Sequence, residues 1–162
     1  MKHLCATLLL LCNITESNVD LNFVDKVRNC ALEYNSMVEA PERIPLNLVL
    51  AQAILESDWG KSRFATQGNN LFGVRALSGE EYIKSKTGKK VKKYHTWCDS
   101  VNDYMELLTT SYHYEELQEE LFLQFAYDEI NIYRLVDLLD KYAEDKKYKN
   151  KLKDILKQLE KI

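Results

Sequence analysis

The sequence is poor in the residues that punctuate loop-rich folds, with two prolines and five glycines in 162 residues. That scarcity argues against many short strands joined by tight turns and favours helices. There is no unbroken run of about 20 apolar residues, so no stable membrane span is expected in the mature chain. There is no excess of positive charge either. Lysine and arginine number 22 against 25 acidic residues, and a net charge of −3 gives no electrostatic footprint for nucleic acid. The four cysteines and three histidines fall in no zinc-binding spacing, so no metal is expected, and His95 stands alone beside a candidate strand. What remains is an ordinary globular balance, 46% hydrophobic and 29% charged. The length suits one domain able to bury roughly two-thirds of its unfolded surface.

The N-terminus departs from this balance. Met1-Lys2-His3 is a short, weakly basic start, and Leu4 to Cys12, "LCATLLLLC", is apolar. Thr15 and Ser17 place small residues at the −3 and −1 positions of a cleavage after Ser17. This is the layout of a secretory signal peptide over residues 1–17, with a mature domain over 18–162 and a periplasmic or extracellular destination; the alternative is an N-terminal apolar helix. Leu11 is too large for a lipoprotein reading of Cys12, and the Asn13-Ile14-Thr15 sequon falls inside or beside the signal segment, where it means little. Loss of the segment would leave Cys30 and Cys98, either as one disulfide or as two buried thiols.

Apolar residues at Phe23, Val24, Val27, Ala31 and Tyr34 predict a helix from about Asp20 to Met37. Ala40-Pro41-Glu42-Arg43 ends it. Pro45 opens a second helix that runs to near Gly60. "GNNLFG", Gly68 to Gly73, is turn-rich, with Asn69 and Asn70 expected to fix the loop through backbone hydrogen bonds. "EYIKSKTGKKVKKYHTW", Glu81 to Trp97, alternates around Thr87-Gly88 and predicts a short β-hairpin. Ser100 is expected to start the next helix, with Asp103 completing a capping box and Val101, Tyr104, Met105 and Leu108 as its stripe. The last helix carries Leu152, Ile155, Leu156 and Leu159 on one face. Six lysines between Lys84 and Lys93, and seven between Lys146 and Lys161, read as solvated faces or, in the hairpin, as contacts to a polyanionic substrate.

The second helix poses the functional question. At about 100° per residue, Leu46 to Leu55 covers nearly every direction with apolar side chains, which marks a central helix. Glu56 shares a side with Val49, Gln52 and Ala53. A carboxyl buried without a partner costs several kcal/mol when charged, so it raises its pKa and keeps its proton. A protonated carboxyl at working pH is a general acid. The bland alternative is a structural pair with Arg63 or Arg75.

"IPLNLVLAQAILESDWGKSRFATQGNNLFGVRA", Ile44 to Ala76, resembles the signature of the bacterial glucosaminidases of glycoside hydrolase family 73, above all its Bax-like branch. That branch has an alanine-rich helix ending in Glu-Ser-Gly-Trp-Gly, then Ser-Arg-Phe, then Asn-Asn-Leu-Phe-Gly. Asp58 stands here where the pattern has glycine. "VKKYHTWCDSVNDY", Val91 to Tyr104, is similar to the family's strand-to-helix segment, with Tyr94, Ser100 and Tyr104 in register and Tyr114 at the family spacing. "KYAEDKKYKNKL", Lys141 to Leu152, resembles the segment that sends a tyrosine into the cleft.

The resemblance implies a lysozyme-like α+β fold, predominantly helical with a small β-hairpin lobe. It implies an endo-β-N-acetylglucosaminidase acting on the peptidoglycan glycan strand, as a monomer without metal or organic cofactor. Glu56 becomes the general acid, Tyr142 the cleft tyrosine, and Glu81 the second carboxylate, with Glu80 the next choice. A helix-borne, desolvated Glu56 and a hairpin-borne, exposed Glu81 would hold different protonation states, as glycoside hydrolysis requires. Trp59, Phe72, Tyr94 and Trp97 offer faces for sugar rings, although core burial is the commoner fate of such residues. A muramidase, a lytic transglycosylase, or a non-catalytic wall-binding or scaffold protein remain alternatives.

Overall fold

In the computed structural model, residues 20–143, 145 and 147–162 are described. The expected signal segment over residues 1–17, with Cys5, Cys12 and the Asn13 sequon, falls outside the described residues. The first helix, α1 (Leu21–Met37), starts where its periodicity predicts. The Asp20 side chain caps it by accepting from the Phe23 amide at 3.1 Å, which satisfies one of the unpaired first-turn donors. A 3₁₀ turn over Ala40–Glu42 follows, and Pro45 serves as N-cap of α2 (Leu46–Ser57).

Helix α2 is the axis of the molecule. Every residue from Leu48 to Ile54 is buried, and α2 packs against α1 on one side and against α6 (Ile132–Asp137) and α7 (Tyr148–Leu159) on the other. Full burial of each large aliphatic side chain contributes roughly 1.5–3 kcal/mol, so this helix anchors the core. It ends at Asp58, which adopts the left-handed conformation (φ 50°), followed by Trp59 (φ 57°) and Gly60 (φ 75°). Aspartate tolerates this region better than most side chains, so the replacement of the family glycine is accommodated. The turn is held by the Ser57 hydroxyl, which donates to the Ala53 carbonyl and accepts from the Gly60 amide at 2.8 Å.

Helix α3 (Arg63–Gly68) leads into the Asn69–Gly73 loop. The hairpin forms as expected, β1 (Tyr82–Lys84) antiparallel to β2 (Lys90–Lys92), with Ile83 opposite Val91. The segment before it extends the sheet: Arg75 bridges to Val91, and the Ala76 amide donates to the Lys90 carbonyl at 3.1 Å.

Helix α4 (Trp97–Thr110) begins one turn earlier than the sequence pattern suggests. Thr96 and Asp99 form the capping box, satisfying two donors reciprocally, and this displaces the expected Ser100–Asp103 box. Ser100 is buried instead, its hydroxyl accepting from the Leu71 amide at 3.0 Å. Val101, Tyr104, Met105 and Leu108 form the expected stripe. Cys30 and Cys98 are bonded to one another, joining the middle of α1 to the first turn of α4.

A 3₁₀ turn over Tyr112–Tyr114 leads into α5 (Glu115–Ala126), and α6 and α7 complete the bundle. The lysine-rich α7 is a solvated face laced with ion pairs: Lys149–Asp140, Lys151–Asp145, Lys153–Asp137 and Lys157–Asp154. No described helix is long and apolar enough to cross a membrane.

Candidate active site

Glu56 is the penultimate residue of α2 and is half-buried at the edge of the core. Burial pushes its pKa above the ordinary glutamate value, with the Tyr148 hydroxyl opposing part of the rise. The C-terminal end of a helix carries partial negative charge, which acts in the same direction as burial. The structural pairs considered from sequence are not formed. Arg63 donates to the Lys84 carbonyl at 2.6 Å, and Arg75 is exposed in the strand-like segment beside β2. A carboxyl that is desolvated and not neutralised by a cation holds its proton to a higher pH than a free glutamate.

Toward the core, Glu56 meets a set of buried polar groups. Gln52, one helical turn earlier, is completely buried. The Tyr104 hydroxyl donates to the Gln52 carbonyl oxygen, and the Gln52 amide donates to the Tyr148 hydroxyl at 2.9 Å. The Tyr148 hydroxyl in turn acts on the Glu56 carboxyl as a donor and lowers its pKa. The chain Tyr104→Gln52→Tyr148→Glu56 therefore runs with one donor sense through buried groups. Tyr104, Tyr142 and Tyr148, each of which feels the Glu56 carboxyl, have pKa values raised chiefly by burial, so this side of Glu56 is lined by neutral phenols.

The other side of Glu56 is open. A side chain at Gly73 would meet the Glu56 Oε2 atom at 3.8 Å, and Gly73 itself is exposed with φ +71°. The carboxyl thus reaches the surface against bare backbone. That backbone is shaped by Asn70, which is buried. Its Oδ1 accepts from the amides of Phe72, Gly73 and Val74 at 3.2, 2.8 and 3.2 Å, and its Nδ2 donates to the Val74 and Lys92 carbonyls at 2.9 and 2.8 Å. Asn69 donates to the Tyr94 and His95 carbonyls. Both asparagines thus fix the loop, as their sequence context predicts.

Tyr142 is half-buried beside this loop. Its hydroxyl donates to the Phe72 carbonyl at 2.7 Å, and its ring lies edge-on to Tyr104 and stacked on Tyr148. The structure therefore brings together Glu56, the Phe72–Gly73 backbone, Tyr142 and Tyr148. It does not bring the hairpin carboxylates into this group. Glu80 accepts from Lys92 and from the Leu77 amide, which hold its pKa below the usual glutamate range. Glu81 has a side chain 79% exposed and pairs loosely with Lys93 at 3.4 Å. Both line a separate pocket with Tyr94, His95 and Asn69.

The expected sugar-facing aromatics divide similarly. Phe72 is buried and stacked on Tyr104 at 4.0 Å, so its ring has no surface to offer and its contribution is through its carbonyl. Trp59 is half-buried with its ring against Phe23, which also packs edge-on to Trp97. Tyr94 donates to Asp103 at 2.6 Å, and Lys92 pairs with the same carboxylate at 2.8 Å. Asp103, expected to cap a helix, is instead the hub that ties the hairpin to α4. Sequence reasoning missed Gln52, Tyr148 and the role of Asp103. The signal for Gln52 is an amide in the apolar middle of the helix, four residues before the acid; Tyr148 lies inside the segment that points to Tyr142. Among the described residues there is no group of three or more metal-ligating side chains.

The chain is 39% identical over 72 residues to the exo-glucosaminidase LytG of Bacillus subtilis, covering 38% of this chain and 26% of that protein. It is 29% identical over 123 residues to protein bax of Escherichia coli, covering 75% of this chain and 45% of the relative. The chain thus spans between a quarter and about half the length of such relatives. Among solved structures, the catalytic domain of the autolysin Auto from Listeria monocytogenes superimposes with a TM-score of 0.65 at 19% identity, covering 86% of this chain and 84% of that one. The glycoside hydrolase domain of FlgJ from Salmonella typhimurium gives 0.62 at 24% identity, covering 87% and 88%. These likenesses establish the lysozyme-like α+β fold. The family profile described as mannosyl-glycoprotein endo-beta-N-acetylglucosaminidase matches residues 33–161, and the chain belongs to that glucosaminidase family.

Proposed function

We propose that this protein is an exported peptidoglycan glycoside hydrolase, an endo-β-N-acetylglucosaminidase of the periplasm or cell exterior, with Glu56 as its general acid. The observation that carries the reading is a single carboxyl at the end of the central helix. It is raised in pKa by burial, forms no ion pair with any described residue, and lies against the exposed backbone of Gly73. Such a group can deliver a proton to a departing glycosidic oxygen. Tyr142 acts from the side: it fixes the Phe72 carbonyl and so the backbone over which the sugar must lie. Relatives named as an exo-glucosaminidase and as peptidoglycan hydrolases support the substrate class. Residues 1–17 serve as the signal peptide and 18–162 as the catalytic domain.

Glu80 is withdrawn into an ion pair and Glu81 lies in the outer pocket, so neither stands beside Glu56 as a ready second carboxylate. Neither hairpin carboxylate perturbs Glu56. This favours, as a second reading, a lytic transglycosylase in which the substrate's own hydroxyl replaces water and a single acid–base group suffices.

The test is digestion of purified sacculi by wild type and Glu56→Gln, with mass analysis of soluble fragments. N-acetylglucosamine at the reducing ends is the expected result, lost in the variant. Muramic acid or anhydro-muramyl ends would replace the bond assignment by a muramidase or a transglycosylase. Absence of fragments from the wild type, with binding retained, would overturn the enzymatic reading.

A further inference from the structure

The loop that meets Glu56 continues into a second feature. Two residues beyond Gly73, Arg75 lines a groove of about 680 Å³ whose facing side is Lys141, Tyr142 and Ala143. The groove is mechanically tied to the acid site. Its Tyr142 holds the Phe72 carbonyl, and its Arg75 is pinned through the bridge to Val91. Leu107 and Tyr114 give it an apolar base. Its charged lining is lopsided. Arg75 and Lys141 are both exposed, and neither is engaged in an ion pair with any described residue. His113 stands beside them, while the groove's one described carboxylate, Asp140, is taken up by Lys149.

We propose that this groove is a subsite for a carboxylate-bearing substituent of the glycan, the lactyl group or the peptide stem of a muramyl residue, recognised by Arg75 and Lys141. The inference rests on the glycosidase reading of Glu56, because it takes the groove as the continuation of the catalytic cleft. A neutral polymer of N-acetylglucosamine has nothing for two cations to meet, whereas every muramyl residue carries an acid. The planar guanidinium of Arg75 matches a carboxylate in two-point fashion, and Lys141 adds a point charge from the opposite side. The apolar base of Leu107 and Tyr114 suits the methyl groups of a lactyl or alanyl unit. Because both cations are exposed, each ion pair contributes modestly, and the gain is selectivity for anionic glycan rather than tight binding.

The test uses the Glu56→Gln protein as a non-hydrolysing probe, titrated calorimetrically with three oligosaccharides of equal length. One carries peptide stems, one has been stripped by an amidase to free lactyl carboxylates, and one is a neutral chitooligosaccharide. The expected result is a preference for the anionic ligands of roughly three- to tenfold, which shrinks at high salt and disappears when Arg75→Ala and Lys141→Ala are added. Arg75→Lys should restore part of it. Preference for the stripped ligand alone assigns the lactyl carboxylate, which is locked in an amide when the stem is present; preference for the stem-bearing ligand alone assigns the stem, and preference for both shows that the subsite takes either carboxylate. Equal binding of all three, or an undiminished preference in the double variant, overturns the subsite. A wild-type enzyme that keeps the preference but releases no fragments from sacculi would leave the subsite standing and refute the glycosidase reading.

Discussion

Replacing Glu56 by glutamine should stabilise the folded protein at neutral pH while removing its activity. The reasoning is one of linkage. A glutamate in the unfolded chain titrates near its ordinary value of 4.5, and burial raises the folded value above that. Below the unfolded value both states are protonated and Glu56 contributes no penalty. As pH rises, the unfolded chain releases its proton first, so unfolding becomes more favourable until the folded carboxyl has also ionised. Stability is therefore lost across the window from the unfolded to the raised folded pKa, and the deficit persists at pH 7. Each unit of upward shift corresponds to about 1.4 kcal/mol, less whatever water at the Gly73 edge recovers by solvating the charge. A gain of about 1 kcal/mol in a domain of this length moves Tm by about 2–4 °C. Glutamine keeps the shape and can still accept from Tyr148. Calorimetric melts at pH 4 and pH 7 provide the assay: the variant should match wild type at pH 4 and exceed it at pH 7. A Glu56→Gln protein that melts below wild type at pH 7 would refute the reasoning, since it would mean that an ionised Glu56 is held by a partner.

Other substitutions test the surroundings. Tyr148→Phe removes the donor that lowers the Glu56 pKa and leaves the Gln52 amide without its acceptor. The alkaline limb of kcat/KM should move to higher pH, and stability should fall by about 1–3 kcal/mol; an unmoved limb would mean that Tyr148 does not act on the acid. Tyr142→Phe frees the Phe72 carbonyl. Turnover should fall at a stability cost of about 1 kcal/mol, so an equally active variant in a sacculus assay contradicts its positioning role. The Cys30–Cys98 bond spans 68 residues of sequence, for which chain entropy assigns about 4 kcal/mol. Cys30→Ala/Cys98→Ala should therefore melt well below the oxidised protein, and wild type in reductant should follow it; a shared melting point would show that the bond adds nothing.

How much of this was legible beforehand follows from the range of the interactions. Helix α2 was readable because an apolar sequence with no polar face has one place to go. The hairpin was readable from Thr87-Gly88 and the alternation around it, and the Asn69–Asn70 loop from turn chemistry that acts within a few residues. The start of α4 was misplaced because Thr96-x-x-Asp99 and Ser100-x-x-Asp103 are the same pattern; only the burial of Ser100 against Leu71 decides between them. The sequence leaves the Cys30–Cys98 bond open because pairing depends on how α1 lies against α4. The surroundings of Glu56 were least legible. Gln52 and Tyr148 are 96 residues apart, and their hydrogen bond exists only once α7 packs on α2. Glu80 and Glu81 are adjacent in sequence, yet Lys92 captures one and leaves the other in solvent, a distinction that the order of residues does not contain.

The five hydrogen bonds of Asn70 have a consequence for chemical ageing. Conversion of that amide to a carboxylate would change almost nothing in size or shape. It would nonetheless place an oxygen where a nitrogen now holds the Val74 and Lys92 carbonyls, turning two attractions into repulsions. The rim of the cleft would come loose from the hairpin while the helical body stayed whole, so an old molecule could keep its fold and its acid yet lose the wall against which a sugar is pressed.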